Sequence, residues 1–221
     1  LYFGTDQFAV RPLDCLNSWK VDSNLVSNIE VVCPSEKRRP KDIKPNNKIL
    51  TVRQFAELNE LPIHNWPLKT ENGAINVHPS LLPKLRGPSP IMHTLLDGDA
   101  ETGVSIIEVS PKQFDAGKIL LQKKVQVFPN KTYQELSEEL SRLSSDMLLD
   151  VLTNYAELKT SAIAQDETKV TKAPKVSKEI GYINWSKFTC EHIERLARAV
   201  GQRFGLKCKW NGQVVKLESF S

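Results

Sequence analysis

Gly73-Ala74-Ile75-Asn76-Val77-His78-Pro79-Ser80-Leu81-Leu82-Pro83 is an apolar run that carries an amide and an imidazole at its end and is stopped by two prolines. If Gly73 to His78 is a strand, its period of two puts the side chains of Asn76 and His78 on one face, aimed at one point. An amide N–H and a ring N–H converging on one oxygen are what a developing oxyanion requires where water is kept out. Taken alone, an Asn-x-His pair more often just ends a strand. Farther along, Asp115-Ala116-Gly117 adds a carboxylate that would orient the imidazole or take a proton from an attacking amine. Amide, imidazole and carboxylate are the groups from which a carbonyl-attacking transfer site is assembled.

Upstream of this stretch the chain alternates. Leu1-Tyr2-Phe3 reads as a strand and Gly4-Thr5 as a turn; Asp6 reads as the N-cap of a helix bearing Phe8, Ala9, Leu13 and Leu16. Pro12 is awkward inside that helix unless it lies in the first turn or marks a kink. Ile29 to Cys33 reads as a second strand. Thr51-Val52-Arg53-Gln54 has the form of a capping box before Phe55, Ala56 and Leu58. Strand, helix, strand, helix predicts an α/β fold with a doubly wound, mostly parallel sheet covered on both faces. Ligands of such sheets bind beyond the carboxyl ends of strands, where Asn76 and His78 would lie.

Downstream, Pro90 to Leu96 suits a short helix carrying His93, read as a structural histidine, and Gly103 to Val109 suits a strand. Lys118 to Val127 gives another extended run. Thr132-Tyr133-Gln134-Glu135 opens a helix whose Leu136, Leu140, Leu143, Met147 and Val151 form a core stripe. The polar residues 157–172 read as a linker. A second unit then offers a helix around Ile193, Leu196, Ala197 and Val200, and strands Leu206 to Trp210 and Val214 to Leu217 joined by the turn signal Asn211-Gly212. The expected division is a catalytic domain at 1–156, a linker at 157–172 and a partial C-terminal domain at 173–221.

The 221 residues, 40% of them hydrophobic, suffice for one large domain or one plus a fragment, and a soluble globular chain is expected. No apolar run approaches a membrane span, so no membrane partner is expected. Cys15, Cys33, Cys190 and Cys208 form no C-x-x-C pair and no histidine has a partner at zinc spacing, which predicts free thiols and no metal. No G-x-G-x-x-G follows Gly4, and Ser80 lacks a G-x-S-x-G elbow, so neither dinucleotide binding nor a serine nucleophile is favoured. The formal net charge is +4. It is concentrated in Lys37, Arg38, Arg39, Lys41 and Lys44, a proline-interrupted loop that on composition alone is most often just solvated surface.

The string Asn76-x-His78-x-Ser80-Leu81-Leu82-Pro83, with Thr102-Gly103 and Asp115-x-Gly117 after it, resembles the formyltransferase family that uses 10-formyltetrahydrofolate. The branch of that family acting on methionyl-tRNA is the one resembled by Phe3 to Ala9, Arg86-Gly87-Pro88-Ser89-Pro90-Ile91, Ala173-Pro174-Lys175 and Ile183-Asn184-Trp185. Residues Ile193, Arg195, Arg198 and Ala199 are similar to the start of that branch's barrel-like, tRNA-facing C-terminal domain. The resemblance implies Asn76, His78 and Asp115 as the catalytic trio and Ser80, Leu81, Leu82 and Pro83 as the folate-contacting segment. It also implies the basic loop Lys37, Arg38, Arg39, Lys41 and Lys44 as a contact to the tRNA acceptor stem, where cations release counterions from phosphates. The expected co-substrates are 10-formyltetrahydrofolate and initiator methionyl-tRNA. A monomer is expected, and the wording from Arg86 to Asp99 points to the mitochondrial matrix.

This chain departs from the family pattern in two places. Pro67 to Asn72 is too short for the strand and helix found there in the family, since a parallel crossover needs about a dozen residues or more, and the chain stops early in the C-terminal domain. Two alternatives stay open at this point: a non-catalytic product that binds RNA weakly or regulates a partner, and a formyltransferase acting on a small amine such as an aminosugar nucleotide.

Overall fold

Residues 2–3, 7–22, 26, 28–33, 51–65 and 74–217 are described in the computed structural model. The chain divides into two compact units, Leu1–Ala74 with Ser141–Ala156, and Ile75–Leu140 with Glu157–Ser221.

The first unit contains β1 (Tyr2–Phe3), α1 (Gln7–Asp22), β2 (Val31–Cys33), α2 (Val52–Leu58) and β3 (Ile63–Asn65). Its strands form a parallel sheet in the order β1-β2-β3, with Tyr2 opposite Val31 and Val31 opposite Ile63. Val31, Val32 and Cys33 are all buried, as expected of a parallel strand covered on both faces, which reads as an unbroken apolar run. The Thr51 hydroxyl caps α2 by accepting from the Gln54 N–H, and the Gln54 side chain accepts from the Thr51 N–H, so the capping box reads true. Pro12 lies inside α1. Its missing N–H would leave the Phe8 carbonyl without a helical donor, and the hydroxyl of Ser141 donates to that carbonyl at 2.9 Å instead. Asp6, the expected N-cap, lies outside the described residues, as does the whole basic loop from Lys37 to Lys44.

The second unit opens with β4 (Ile75–His78), α3 (Pro90–Asp97), β5 (Glu101–Glu108) and β6 (Ile119–Gln126). These strands make a separate sheet in the order β4-β5-β6, antiparallel throughout. The expectation of a mostly parallel sheet is thereby corrected: it holds for β1-β2-β3 and fails for the strands that carry Asn76 and His78. Among the described residues β3 and β4 are in different sheets; Pro67 to Asn72, the departure noted in the sequence, lie outside the described residues.

From here α4 (Tyr133–Thr153) runs out of the second unit into the first and is followed by α5 (Tyr155–Thr160). The Glu135 carboxylate accepts from the Thr132 N–H and the Thr132 hydroxyl from the Glu135 N–H, the reciprocal cap read from sequence. Leu136, Leu140, Met147 and Val151 are fully buried.

Residues 157–172 are extensively hydrogen-bonded. Ile163 pairs with Ile119 of β6, the N–H of each donating to the other's carbonyl at 2.8 and 3.0 Å, and Lys172 bridges Arg86. The chain ends in β7 (Tyr182–Ile183), α6 (Cys190–Leu196), a π-helical turn at Ala197–Gly201, α7 (Gln202–Phe204), β8 (Leu206–Trp210) and β9 (Gln213–Leu217). β7 pairs parallel with β8, and β8 antiparallel with β9. Asn211 and Gly212 turn the hairpin with φ of 47° and 79°, the pair of positive values a two-residue type I′ turn demands. Among the described residues this end of the chain is a three-stranded sheet flanked by short helices.

Candidate active site

β4 delivers the amide and the imidazole to one face as its alternation requires, and the loop between β5 and β6 brings Asp115 to them. The Asn76 Nδ2 donates to Asp115 Oδ1 at 3.0 Å. The backbone N–H of Gly87 donates to Asp115 Oδ2 at 2.9 Å. His78 Nδ1 lies 3.7 Å from Asp115 Oδ1, beyond a hydrogen bond but within strong Coulombic reach. Asn76, His78 and Asp115 therefore converge, and the carboxylate is held by the amide and a backbone N–H rather than by the imidazole.

His78 Nε2 is 2.9 Å from the carbonyl of Leu85. A carbonyl only accepts, so Nε2 carries the proton and the neutral ring presents an unprotonated Nδ1 toward Asp115. The side chain is 5% exposed. Burial pushes its pKa below the ordinary imidazole value, opposed by the Asp115 charge and the Leu85 carbonyl. The resting ring is thus a neutral base whose free nitrogen faces a carboxylate.

Two non-glycine residues of the site, Leu85 with φ 60° and Asp115 with φ 55°, occupy the left-handed region. That conformation costs an L-residue roughly 1–2 kcal/mol, and each is pinned. Leu85 donates its N–H to the Thr171 hydroxyl at 2.9 Å and accepts from His78. Asp115 is held at its carbonyl by the Gln165 Nε2 at 2.8 Å. Glycines admit the close approaches: a Cβ at Gly117 would lie 1.6 Å from the Glu108 carbonyl oxygen, and one at Gly87 2.6 Å from that of Ala173.

The segment Ser80-Leu81-Leu82-Pro83 leaves β4 beside these groups. Ser80 is fully buried, and its hydroxyl donates to the Lys84 carbonyl at 2.7 Å. Leu82 is buried, while Leu81 and Pro83 are half-buried. The turn is fixed from below by residues that the sequence did not single out. Ser105 stands opposite His78 on β5, and Gln122 opposite Ser105 on β6. The Ser105 hydroxyl donates to the Ser80 carbonyl at 2.6 Å and accepts from the Leu82 N–H at 3.1 Å and from Gln122 Nε2 at 2.7 Å. Gln122 Nε2 also reaches the Leu82 carbonyl at 3.0 Å. No local motif marks Ser105 or Gln122; only the strand register reveals them.

His93 is not drawn into the site; its Nε2 lies 3.0 Å from the Pro174 carbonyl. None of Cys15, Cys33, Cys190 and Cys208 is in a disulfide. Among the described residues no group of three or more His, Cys, Asp or Glu side chains is placed to hold a metal ion, and no helix is long and apolar enough to cross a membrane.

Residues 68–152 match the formyl transferase family. The chain is similar to proteins named methionyl-tRNA formyltransferase. It is 38% identical, over 98% of its length, to the mitochondrial methionyl-tRNA formyltransferase of Homo sapiens. It is 41% identical over 145 residues to that of Roseiflexus castenholzii, covering 66% of this chain and 46% of that protein. The chain spans 60% of the length of the human protein. The structure of a sugar 3N-formyl transferase, crystallised in the presence of dTDP and 5-N-formyl-THF, matches with a TM-score of 0.71 over 96% of this chain and 82% of that one. At 18% identity that likeness concerns the fold alone.

Proposed function

We propose that this chain transfers the formyl group of 10-formyltetrahydrofolate to the α-amine of methionine on initiator tRNA. The observation that carries the reading is the convergence of Asn76, His78 and Asp115 on one side of β4, with Asn76 bonded to Asp115 and the imidazole neutral. The amine nitrogen attacks the formyl carbon and the carbonyl electron pair moves to oxygen. Asn76 spends one amide hydrogen on Asp115 and keeps the second for that oxyanion. His78 takes the amine proton on Nδ1, and the imidazolium so formed is stabilised by Asp115 and presents its proton to the reacting centre. Collapse of the tetrahedral intermediate breaks the bond to the folate nitrogen, which leaves with a proton. An α-amine with a pKa near 8 is in good part neutral at physiological pH, so alignment and oxyanion stabilisation supply most of the acceleration. No covalent enzyme intermediate and no metal are invoked.

Leu81 and Pro83 are the residues of the Ser80–Pro83 turn with surface left for folate, and Ser80 and Leu82 shape the turn from within. Lys37, Arg38, Arg39, Lys41 and Lys44 provide phosphate contacts to the acceptor stem. Residues 173–221 are read as the beginning of a barrel-like tRNA-facing domain following the catalytic part, 1–156, and the connecting residues, 157–172. The chain is read as a monomer acting in the mitochondrial matrix, the compartment being supported by its similarity to proteins named mitochondrial.

The test is single-turnover formyl transfer by the 221-residue chain from 10-formyltetrahydrofolate to initiator methionyl-tRNA, with Asp115→Asn alongside. Transfer is expected, with a loss of about 10²- to 10⁴-fold in the variant, the usual span for a positioned acid or base. Transfer to an aminosugar nucleotide but not to tRNA would reassign the acceptor. No transfer to either would leave a non-catalytic product.

A further inference from the structure

Gln165 lies 50 residues beyond Asp115 in sequence and uses its whole amide within the site. Its Nε2 donates to two carbonyls, those of Asp115 and Gly117, both at 2.8 Å. Its Oε1 accepts from Arg86 Nε at 3.0 Å and Nη2 at 2.7 Å. Both amide hydrogens are committed, and the amide has no freedom to turn without breaking contacts at both ends.

Arg86 explains why the amide is held so firmly. Its side chain is 5% exposed, and a buried guanidinium is tolerated only when paired and hydrogen-bonded. Its Nη1 and Nη2 bind the two carboxylate oxygens of Glu167 at 3.1 and 2.8 Å, a bidentate pairing that draws the Glu167 pKa down. A continuous chain of contacts therefore runs from Glu167 through Arg86 and Gln165 to the Asp115 backbone. The next residue, Gly87, grips the other end of the aspartate through its N–H. Backbone and carboxylate of Asp115 are thus both tied to the same dipeptide, Arg86-Gly87.

The grip falls on a strained residue. Asp115 sits at φ 55°, and a left-handed residue is kept there only where its surroundings over-determine it. Without Gln165 the carbonyls of Asp115 and Gly117 lose the donor that bridges them. The loop is then free to relax toward ordinary φ values, carrying the carboxylate away from Asn76 and His78.

We propose that Gln165, anchored by Arg86, is a positioning residue for Asp115: it touches no reactant and acts by holding the Asp115 loop so that the carboxylate meets Asn76 and faces His78. The catalytic consequence rests on the formyl-transfer reading; the geometric one stands without it.

The experiment pairs an NMR titration of the His78 imidazole with kcat and KM for formyl transfer, on the full chain and on Asp115→Asn, Gln165→Ala and Gln165→Glu. Gln165→Glu keeps acceptors for Arg86 and removes both amide donors, so it preserves the anchor while abolishing the grip. Both Gln165 variants are expected to move the His78 midpoint downward, the direction taken by Asp115→Asn, because each removes the carboxylate charge from beside the ring. In both, kcat falls on the order of 10²-fold, the scale of an ångström-sized misplacement, with KM for the folate donor unchanged. The proposal is overturned if Gln165→Glu keeps the wild-type midpoint and kcat, or if kcat falls only in step with a lowered melting temperature while the midpoint stays fixed. Should the unsubstituted chain transfer no formyl group, the functional reading fails and the titration still decides the positioning role.

Discussion

The parallel sheet β1-β2-β3 and the antiparallel sheet β4-β5-β6 use their strands differently. In the parallel sheet the central strand is three residues long, Val31-Val32-Cys33, and every one of its side chains is buried. It presents nothing that does chemistry. The antiparallel sheet alternates: along β4 Asn76 and His78 share one face, and across the strands His78, Ser105 and Gln122 stand in a single polar row. Each polar group in that row has a partner, so it is tolerated in a buried place and gains a fixed direction. The lesson is that the site lies where the fold can satisfy polar atoms on one face while the opposite face stays apolar, as Val104 and Ile106 of β5 do by being buried.

Core truncation makes the largest test of that difference. Ile106 is completely buried in the middle of β5, and Ile106→Ala is expected to cost about 2–5 kcal/mol of unfolding free energy in urea titration. Val31→Ala, in the centre of the parallel sheet, removes two methyl-sized groups worth about 0.8 kcal/mol each plus the residual cavity. Both variants should lose stability, but only Ile106→Ala should also depress the proposed formyl transfer at a temperature where both remain folded. Equal loss of activity in the two would mean that the site depends on the antiparallel sheet no more than on the parallel one.

A smaller effect is expected from Ser105→Ala. The hydroxyl accepts from Leu82 N–H and Gln122 and donates to Ser80, so its removal leaves buried polar groups unpaired, at a cost of about 1–3 kcal/mol. Because those partners fix the Ser80–Pro83 turn and not the proposed catalytic trio, the proposed reaction should show a raised KM for its folate donor while kcat changes little. An unchanged KM beside a fallen kcat would assign Ser105 to the reacting groups instead.

How much of this could be read beforehand depends on how local each feature is. Asn76 and His78 are two residues apart, so a period of two suffices to pair them, and Thr51 with Gln54, Thr132 with Glu135 and Asn211 with Gly212 carry their structure within four residues. The direction of β5 and β6 has no such signature. A short apolar run packs equally well parallel or antiparallel, and only the connections decide. Ser105, Gln122, Thr171 and Gln165 act across strand register or long loop closure, and a polar stretch such as 157–172 looks the same whether it wanders in solvent or is sewn to Arg86 and Ile119. The paired residues were legible as pairs; their supports were not.

The smallest effect separates the two sheets by pH. Unfolded chains protonate histidine near about pH 6.5, whereas burial holds the His78 pKa in the native state below that value, with Asp115 and the Leu85 carbonyl opposing the shift. Just below the ordinary value the unfolded state therefore binds more protons than the native one, so stability rises with pH. The melting temperature should fall as pH is lowered from about 7 through the imidazole range, and the fall should level off once the buried ring itself takes a proton. His78→Gln should remove this part of the slope. Asp115→Asn should extend it to lower pH, because the charge that favours the imidazolium is gone. If His78→Gln melts with the same pH slope as the unsubstituted chain, the buried neutral imidazole is not the titrating group. If Asp115→Asn leaves the slope unchanged, the carboxylate does not act on the ring across their 3.7 Å separation.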